Sequence, residues 1–170
     1  MNRHPTILVV DDDEAHLYVV RRAIERMGLR AEVCSARDGG EALRLLGLQP
    51  GEIGALPAAS VALVMLDLRM PGLTGWDVLQ RMREVEPTRR IPVVILSSSN
   101  RPDDVRRSYE LGANSYVVKR YEPDEPGRYA AAAARYWVEL NRPARGTDGG
   151  TSGRTHGGGT GAGGLVSARM

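Results

Sequence analysis

Short apolar runs and amphipathic segments alternate along most of the chain. Five runs of mostly apolar residues have the length and composition of strands buried on both faces. They lie at 6–10, 31–34, 61–66, 91–96 and 115–118. A segment with apolar residues at helical spacing follows each run, and these segments lie at 14–27, 38–46, 75–85, 102–111 and 126–140. Strands that alternate with helices predict an α/β fold, a doubly wound five-stranded parallel sheet covered on both faces by right-handed crossovers.

The composition changes near residue 143. Ten of the 20 glycines lie between Gly146 and Gly164, mixed with threonine, serine and few apolar residues. Such a segment cannot bury enough apolar surface to offset the entropy lost on ordering. We therefore expect one folded domain over residues 1–142 and a flexible glycine-rich tail over residues 143–170.

Charge and cysteine usage narrow the class of protein. The 23 basic residues are interspersed with 21 acidic ones and the net charge is +2, so bulk charge does not indicate nucleic-acid binding. Cys34 is the only cysteine, which rules out an intramolecular disulfide and favours a reducing compartment. No apolar stretch approaches the roughly 18 residues of a membrane helix, and residues 1–5 lack a signal-peptide core. We expect a cytoplasmic protein that binds neither nucleic acid nor membrane.

Polar residues follow four of the five predicted strands. They are Asp11, Asp12 and Asp13 after the first, Asp67 after the third, Ser97 after the fourth and Lys119 after the fifth. Each alone could be a helix cap or a turn residue, but ligands of doubly wound sheets bind outside the carboxyl ends of the strands. Clustered carboxylates repel one another and need a cation, and oxygen ligands favour a hard ion such as Mg²⁺. The pattern predicts a magnesium-dependent phosphoryl site at this edge of the sheet.

Four motifs resemble those of response regulator receiver domains. They are ILVVDDD at 7–13, DGGEAL at 38–43, LDLRMPG at 66–72 and YVVK at 116–119. The resemblance covers about residues 6–141 and implies the flavodoxin-like receiver fold with strand order 2-1-3-4-5. It also implies a phosphoacceptor signalling protein of a two-component system, not an enzyme, with only self-catalysed phosphotransfer and slow autodephosphorylation.

The resemblance assigns a role to each residue of the predicted site. Asp67 is implied to be the phosphoacceptor, and Asp12 and Asp67 are implied to bind Mg²⁺ together with the backbone carbonyl of Arg69. Asp11 is implied to hold a metal-bound water. The implied phosphoryl ligands and switch residues are Ser97 and Lys119, which bind the phosphoryl group, and Tyr116, which acts with Ser97 in the conformational switch.

A narrower resemblance concerns the partners. The segments SYELGANSY at 108–116 and YWVELNRP at 136–143 look like those of regulators partnered with bacterial phytochromes, which are light-sensing histidine kinases. That likeness implies a histidine kinase partner, possible dimerisation and output through contact with a downstream protein that the sequence does not identify. Aromatic residues and an alanine run favour a C₂ homodimer through the fourth predicted helix, the fifth strand and the last helix. These aromatic residues are Tyr109, Tyr116, Tyr136 and Trp137.

Two alternative functions fit parts of the pattern. An aspartate-nucleophile phosphatase of the haloacid dehalogenase type uses Asp-x-Asp after its first strand, and Asp11 and Asp13 have that spacing. This alternative lacks a cap domain and leaves Asp67 unexplained. A pseudo-receiver that docks without phosphorylation is the other alternative, and the complete set of aspartates, serine and lysine argues against it.

Arg120 departs from the family pattern. The family usually has a proline after the lysine, joined by a cis peptide bond, whereas Arg120 stands there in this chain. A cis bond before a non-proline residue costs ~2.5–4 kcal/mol. We therefore expect a trans bond between Lys119 and Arg120, with the altered path taken up over residues 121–124 and a shifted start of the last helix.

Overall fold

The computed structural model describes residues 4–51 and 53–142, and within them five parallel strands form a single sheet. The strand order is β2-β1-β3-β4-β5. The strands are β1 (Thr6–Val10), β2 (Glu32–Ala36), β3 (Val61–Leu66), β4 (Val93–Ser97) and β5 (Ser115–Val118). The predicted doubly wound α/β fold and its strand order are confirmed. The tail expected at 143–170 lies outside the described residues.

Helices cover both faces of the sheet. They are α1 (Glu14–Arg26), α2 (Gly39–Leu45), α3 (Gly75–Glu84), α4 (Glu86–Arg89), α5 (Pro102–Glu110) and α6 (Arg128–Arg135), and α6 continues into a π-helical turn at Tyr136–Leu140. The sequence did not predict α4, because a single turn of four residues is too short to show helical periodicity. The last helix was predicted from residue 126 but begins at Arg128, after Gly127 in the left-handed conformation with φ 79°. No helix within the described ranges has the length and apolar character needed to cross a membrane.

The core has two layers, one on each face of the sheet. Alternate residues of each central strand point to opposite faces, so Leu8 and Val64 contribute to one layer while Ile7 and Leu63 contribute to the other. The first layer packs against α2 and α3, and the second packs against α1 and α6. This burial on both faces explains why the strands are apolar without alternation.

The alanines of α6 pack inside the chain. Ala130, Ala131 and Ala134 are fully buried in the same layer as the apolar face of α1. The sequence analysis expected the alanine run of the last helix to pack against a helix of a second copy. Three of its alanines are instead buried in the core of the same chain. Beyond α6, the exposed apolar side chains are Tyr136 and Leu140, and Tyr109 is exposed on α5.

Strand register brings the chemically active residues to one edge. Val10 pairs with Ala36 on one side and with Leu66 on the other, so β1 and β3 end level with each other. Ser97 pairs with Val118, so β4 and β5 also end together. The residues that follow β1, β3 and β5 therefore leave the sheet at the same edge.

Candidate functional site

Three carboxylates meet at the carboxyl edge of the sheet. Asp11, Asp12 and Asp67 each offer an oxygen, and the three oxygens lie within 4.8 Å of one another. Asp11 and Asp67 are buried, whereas Asp12 is exposed. An all-oxygen set of carboxylates is the donor chemistry of hard divalent cations. The residues present therefore fit a divalent metal.

Lys119 carries the positive charge of the site. Its Nζ lies 2.7 Å from Asp11 Oδ2 and 3.2 Å from Asp67 Oδ1. The backbone N–H of Lys119 donates to the carbonyl of Ser97 at 2.8 Å, which fixes where the side chain leaves β5. Burial opposes the charge of the ammonium, but the two carboxylates outweigh it and raise the pKa of Lys119 above its ordinary value.

The two buried carboxyls have opposite electrostatic tendencies. Burial would raise the pKa of Asp11, but hydrogen bonds from His16 and Lys119 outweigh it and hold the pKa below its usual value. Burial raises the pKa of Asp67, and the neighbouring Asp11 charge adds to this, while Lys119 only partly compensates. Asp67 is thus the anion that gains most from an added cation.

The loop after β4 is tied to the loop after β3. Asp104 of α5 accepts hydrogen bonds from Ser99 Oγ at 2.6 Å and from the Arg69 guanidinium at 3.2 Å. The Arg69 side chain thus reaches α5, while its backbone N–H donates to Asp67 Oδ2 at 3.2 Å. Ser97, at the end of β4, is fully buried, and its Oγ accepts from the backbone N–H of Ser99 at 3.2 Å.

Tyr116 contacts the same loop from β5. Its side chain is half-buried, and its hydroxyl donates to the backbone carbonyl of Ser99 at 2.9 Å. The aromatic ring is therefore linked to the segment that contains Ser97. Any movement of the Ser99 carbonyl removes the acceptor that the Tyr116 hydroxyl uses here.

Asp13 caps a helix and is not part of the cluster of three carboxylates. Its Oδ1 accepts from the backbone N–H groups of Ala15 at 2.9 Å and His16 at 3.3 Å, so it caps α1. A phosphatase of the Asp-x-Asp type would need this carboxylate as its acid or base. Its engagement with the helix leaves that alternative without its second group.

The peptide bond at Lys119–Arg120 is trans, as predicted, since residues 4–51 and 53–142 contain no cis peptide bond. Arg120 and the following Tyr121 are exposed, and Tyr121 is 93% exposed. The chain then reaches α6 through an irregular segment before Gly127. The trans bond agrees with the cost of a cis bond before a non-proline residue, whereas an altered loop path relative to other receiver domains stays a prediction.

Sequence reasoning missed two residues of the site, His16 and Tyr129. His16 Nδ1 lies 2.5 Å from Asp11 Oδ2, and His16 Nε2 lies 2.6 Å from the Tyr129 hydroxyl. His16 reads in sequence as an ordinary α1 residue, and Tyr129 is 113 positions away, so no local pattern pairs them. The one sequence signal for the His16–Asp11 contact was their five-residue spacing, which places His16 on the first turn of α1 near Asp11.

The sequence model of response regulator receiver domains matches residues 7–125. The chain belongs to this family, so the class of protein that the fold and site define is a receiver-domain response regulator. Such regulators are signalling proteins of two-component systems and partner with histidine kinases.

Individual relatives add detail. The probable methanogenesis regulatory protein FilR2 of Methanothrix harundinacea is 38% identical over 136 residues, covering 80% of this chain and 85% of FilR2. Response regulator Rcp1 of Synechocystis sp. is 32% identical over 138 residues, covering 81% of this chain and 92% of Rcp1. The crystal structure of the Mn²⁺-bound form of Rcp1 superposes with a TM-score of 0.71 at 28% identity, covering 83% of this chain and 99% of that one.

A third relative is a phytochrome response regulator. The crystal structure of the phosphorylated cyanobacterial phytochrome response regulator RcpA superposes with a TM-score of 0.74 at 28% identity, covering 84% of this chain and 99% of RcpA. The resemblance stated from the sequence motifs is therefore confirmed, and the chain has phytochrome-associated relatives.

Proposed function

We propose that this chain is a phosphoacceptor response regulator that takes a phosphoryl group from a histidine kinase onto Asp67 in a Mg²⁺-dependent reaction. The observation that carries the proposal is the buried Asp67 carboxylate, which lies 3.2 Å from the Lys119 ammonium within a cluster of three carboxylates. A carboxylate nucleophile, a fixed cation and a set of hard oxygen ligands are the parts that phosphoryl transfer to aspartate requires.

The metal ligands in this proposal are side chains of the cluster and one backbone group. Asp12, Asp67 and the carbonyl of Arg69 would hold Mg²⁺, and Asp11 would hold a water bound to it. The bound cation supplies positive charge that offsets the repulsion between the Asp67 carboxylate and the incoming phosphoryl group. The raised pKa of Asp67 supports this assignment, because a carboxyl disfavoured as an anion gains most from that charge.

In the transfer step, an Asp67 carboxylate oxygen attacks phosphorus. A P–O bond forms as the P–N bond of the kinase phosphohistidine breaks, and the imidazole keeps the electron pair and takes up a proton. Lys119 then pairs with a phosphoryl oxygen, and the Ser97 hydroxyl donates to another. Positioning and charge stabilisation supply most of the catalysis in such a reaction.

The output in this proposal begins at the loop after β4. When Ser97 turns to the phosphoryl group, the Ser99 backbone that it contacts shifts, and Tyr116 loses the acceptor that now holds its hydroxyl. The surface of α5, β5 and α6 then changes. This is a local hydrogen-bonding event with a distant readout, and it supports output by protein contact or dimerisation in the cytoplasm.

The kinase partner is proposed to be a phytochrome-type light sensor. RcpA and the sequence likeness at 108–116 and 136–143 support this choice. FilR2 belongs to a different kind of regulation by its name, so the kinase encoded nearest to this chain should be tested for phosphotransfer alongside a bacterial phytochrome.

The test is covalent labelling with acetyl phosphate or a phosphorylated kinase in the presence of Mg²⁺. Asp67→Asn should abolish the mass increase of the intact protein, and so should chelation of Mg²⁺. Asp103→Asn on α5, where the carboxylate is exposed, is the matched control and should label normally. Labelling that persists in Asp67→Asn would remove the acceptor assignment.

The same assay separates the two alternative functions. Catalytic hydrolysis of p-nitrophenyl phosphate would indicate a phosphatase. A folded wild-type protein that neither acetyl phosphate nor any kinase labels would indicate a non-phosphorylated pseudo-receiver adaptor.

A further inference from the structure

His16 joins the acidic site to the last helix. Its ring is 13% exposed and makes a polar contact on each nitrogen, one to Asp11 and one to Tyr129. The Tyr129 and His16 rings are nearly parallel, at 11°, with centroids 6.3 Å apart. The site, α1 and α6 are thus connected through a single line of hydrogen bonds.

The direction of these hydrogen bonds follows from the chemistry of their ends. The Asp11 carboxylate can only accept, and the pKa of Asp11 is below its usual value, so His16 Nδ1 must carry a proton and donate. The other ring nitrogen, Nε2, shares a hydrogen bond with the Tyr129 hydroxyl at 2.6 Å. Burial and the charges of Asp11 and Glu122 raise the pKa of Tyr129 to about 12, which keeps that hydroxyl protonated.

Asp11 is held from three sides. Its Oδ2 accepts from Lys119 at 2.7 Å and from His16, and its Oδ1 accepts from the backbone N–H of Asp13 at 3.0 Å. When Lys119 turns to a phosphoryl oxygen, His16 becomes the only side chain that still donates to Asp11. Groups outside the direct metal ligands strongly affect metal affinity when they orient the ligand shell, as carboxylates behind metal-bound histidines do, and Asp11 with its proposed metal-bound water is such a group.

The far end of the line lies at the start of α6. Tyr129 is the second residue of that helix, and Gly127 before it packs tightly on α1, since a Cβ there would lie 3.0 Å from Val19. The amides of Ala130 and Ala131, the third and fourth residues of the helix, donate to the Gly127 carbonyl at 3.1 and 3.0 Å. A shift of Asp11 and His16 is therefore felt where α6 begins, by a route separate from Tyr116.

We propose that His16 and Tyr129 are positioning residues that hold Asp11 for the metal-bound water and couple the start of α6 to occupancy of the site. The proposal rests on the proposed function for the identity of the site, but it concerns metal affinity and helix α6, which can be measured without any phosphorylation.

The experiment compares variants that keep different hydrogen bonds of the Asp11–His16–Tyr129 series. His16→Asn retains an N–H near the Nδ1 position, His16→Leu retains neither contact, and Tyr129→Phe removes only the hydroxyl. We expect His16→Leu to weaken Mg²⁺ binding about ten-fold by calorimetry, in the range known for residues that orient metal ligands. His16→Asn should recover most of that loss. Tyr121→Phe, at a tyrosine that is 93% exposed, is the matched control for Tyr129→Phe and should bind normally.

The second readout is hydrogen exchange of the α6 amides with and without Mg²⁺ and beryllium fluoride. Wild type and Tyr121→Phe should show a ligand-dependent change in the amides of Ala130 and Ala131, and Tyr129→Phe and His16→Asn should lose it. A purely structural role would instead change exchange equally in both states. If His16→Leu does not fold, the comparison of His16→Asn with Tyr129→Phe decides.

Mg²⁺ affinity unchanged in His16→Leu, or an α6 response unchanged in Tyr129→Phe, would overturn the proposal, as would a wild type that binds no Mg²⁺. Absence of Asp67 labelling together with the expected affinity and exchange changes would overturn the phosphoacceptor function alone.

Discussion

At the residue scale, the opposed tendencies of Asp11 and Asp67 predict how the metal-free protein responds to pH. The pKa of Asp67 is raised by burial, so between the unfolded and folded pKa values the folded state binds more protons and stability falls as pH rises. The ionised Asp67 is therefore a stability cost at neutral pH. Asp67→Asn should raise the melting temperature in a chelator at pH 7, and the gain should vanish as pH falls below the unfolded pKa of about 3.9.

Mg²⁺ should reverse that ranking, because it stabilises wild type by binding and binds the variant poorly. Asp103→Asn serves again as the control, and its melting temperature should match that of wild type both with and without Mg²⁺. Thermal unfolding monitored by circular dichroism measures both. A variant less stable than wild type at pH 7 without Mg²⁺ would show that Lys119 more than compensates the buried charge.

Arg83 provides a second prediction at this scale. Its half-buried guanidinium donates to the carbonyls of Gly112, Arg89 and Ile91 and to Asn114 Oδ1, at 2.9–3.1 Å. Arg83→Leu removes the donor to the three carbonyls, while Asn114 Oδ1 still accepts from the backbone N–H of Val93, and should cost about 2–3 kcal/mol of the free energy of unfolding. Arg83→Lys should restore only part of this, because an ammonium lacks the planar fork.

Urea denaturation measures the Arg83 effect. Arg81→Leu is the control on the same helix, because Arg81 is exposed and makes only a surface ion pair with Glu84. An equal loss of unfolding free energy in the two leucine variants would mean that the Arg83 hydrogen bonds contribute no more to stability than a surface ion pair.

At the element scale, the start of α3 is packed onto the backbone of Asp67 and Leu68. A Cβ at Gly75 would lie 2.1 Å from the Asp67 carbonyl oxygen and 2.9 Å from the Leu68 Cα, so only glycine allows this approach. Gly75→Ala should lower the free energy of unfolding by about 1–3 kcal/mol through overpacking. It should also weaken Mg²⁺ binding, because the Asp67 backbone must move to make room.

Gly40→Ala is the matched control within a helix. A Cβ there would lie 3.2 Å from the Asp38 side chain and 3.8 Å from the Gln49 side chain and would meet no backbone, and alanine favours the helix over glycine by up to about 1 kcal/mol. Chemical denaturation and Mg²⁺ calorimetry on both variants test the contrast. A Gly75→Ala protein with normal stability and metal affinity would contradict the close packing.

The comparison of sequence with structure also belongs to this scale. The central strands β1, β3 and β4 could be predicted because burial on both faces makes them almost entirely apolar, and the aspartates because the carboxyl ends of parallel strands share one edge. The outer strands β2 and β5 are less buried and were predicted from shorter apolar runs. The one-turn α4 and the start of α6 could not be predicted, since neither shows helical periodicity. The contact of His16 with Tyr129 depends on how α6 packs on α1, which sequence spacing does not contain.

At the scale of the whole molecule, the exposed aromatic residues predict self-association. Tyr109 on α5 and Tyr136 after α6 are each about half exposed, on the side of the fold proposed for output. We expect a C₂ dimer at high micromolar concentration, measured by analytical ultracentrifugation with and without acetyl phosphate. Tyr136→Arg should shift the protein to monomer, whereas Tyr18→Arg on α1 should not. A strictly monomeric wild type under both conditions would refute the dimer.

The proposed boundary after residue 142 gives a further prediction. Deletion of residues 146–170 should change the free energy of unfolding by less than ~0.5 kcal/mol, the range for positions without packing or hydrogen-bonding roles. Urea denaturation of the full and shortened chains provides the measurement. A larger loss would place part of that segment in the folded domain.

The gathering of all the reactive groups at the carboxyl edge of the sheet has an evolutionary consequence. Under the proposed function, the exposed helical faces carry none of the residues proposed to hold the phosphoryl group or the metal, so mutations there can change partners while those residues stay in place. A regulator named for methanogenesis and one named for a phytochrome both match this chain. This is expected if the partners of such a domain change through substitutions on its surface.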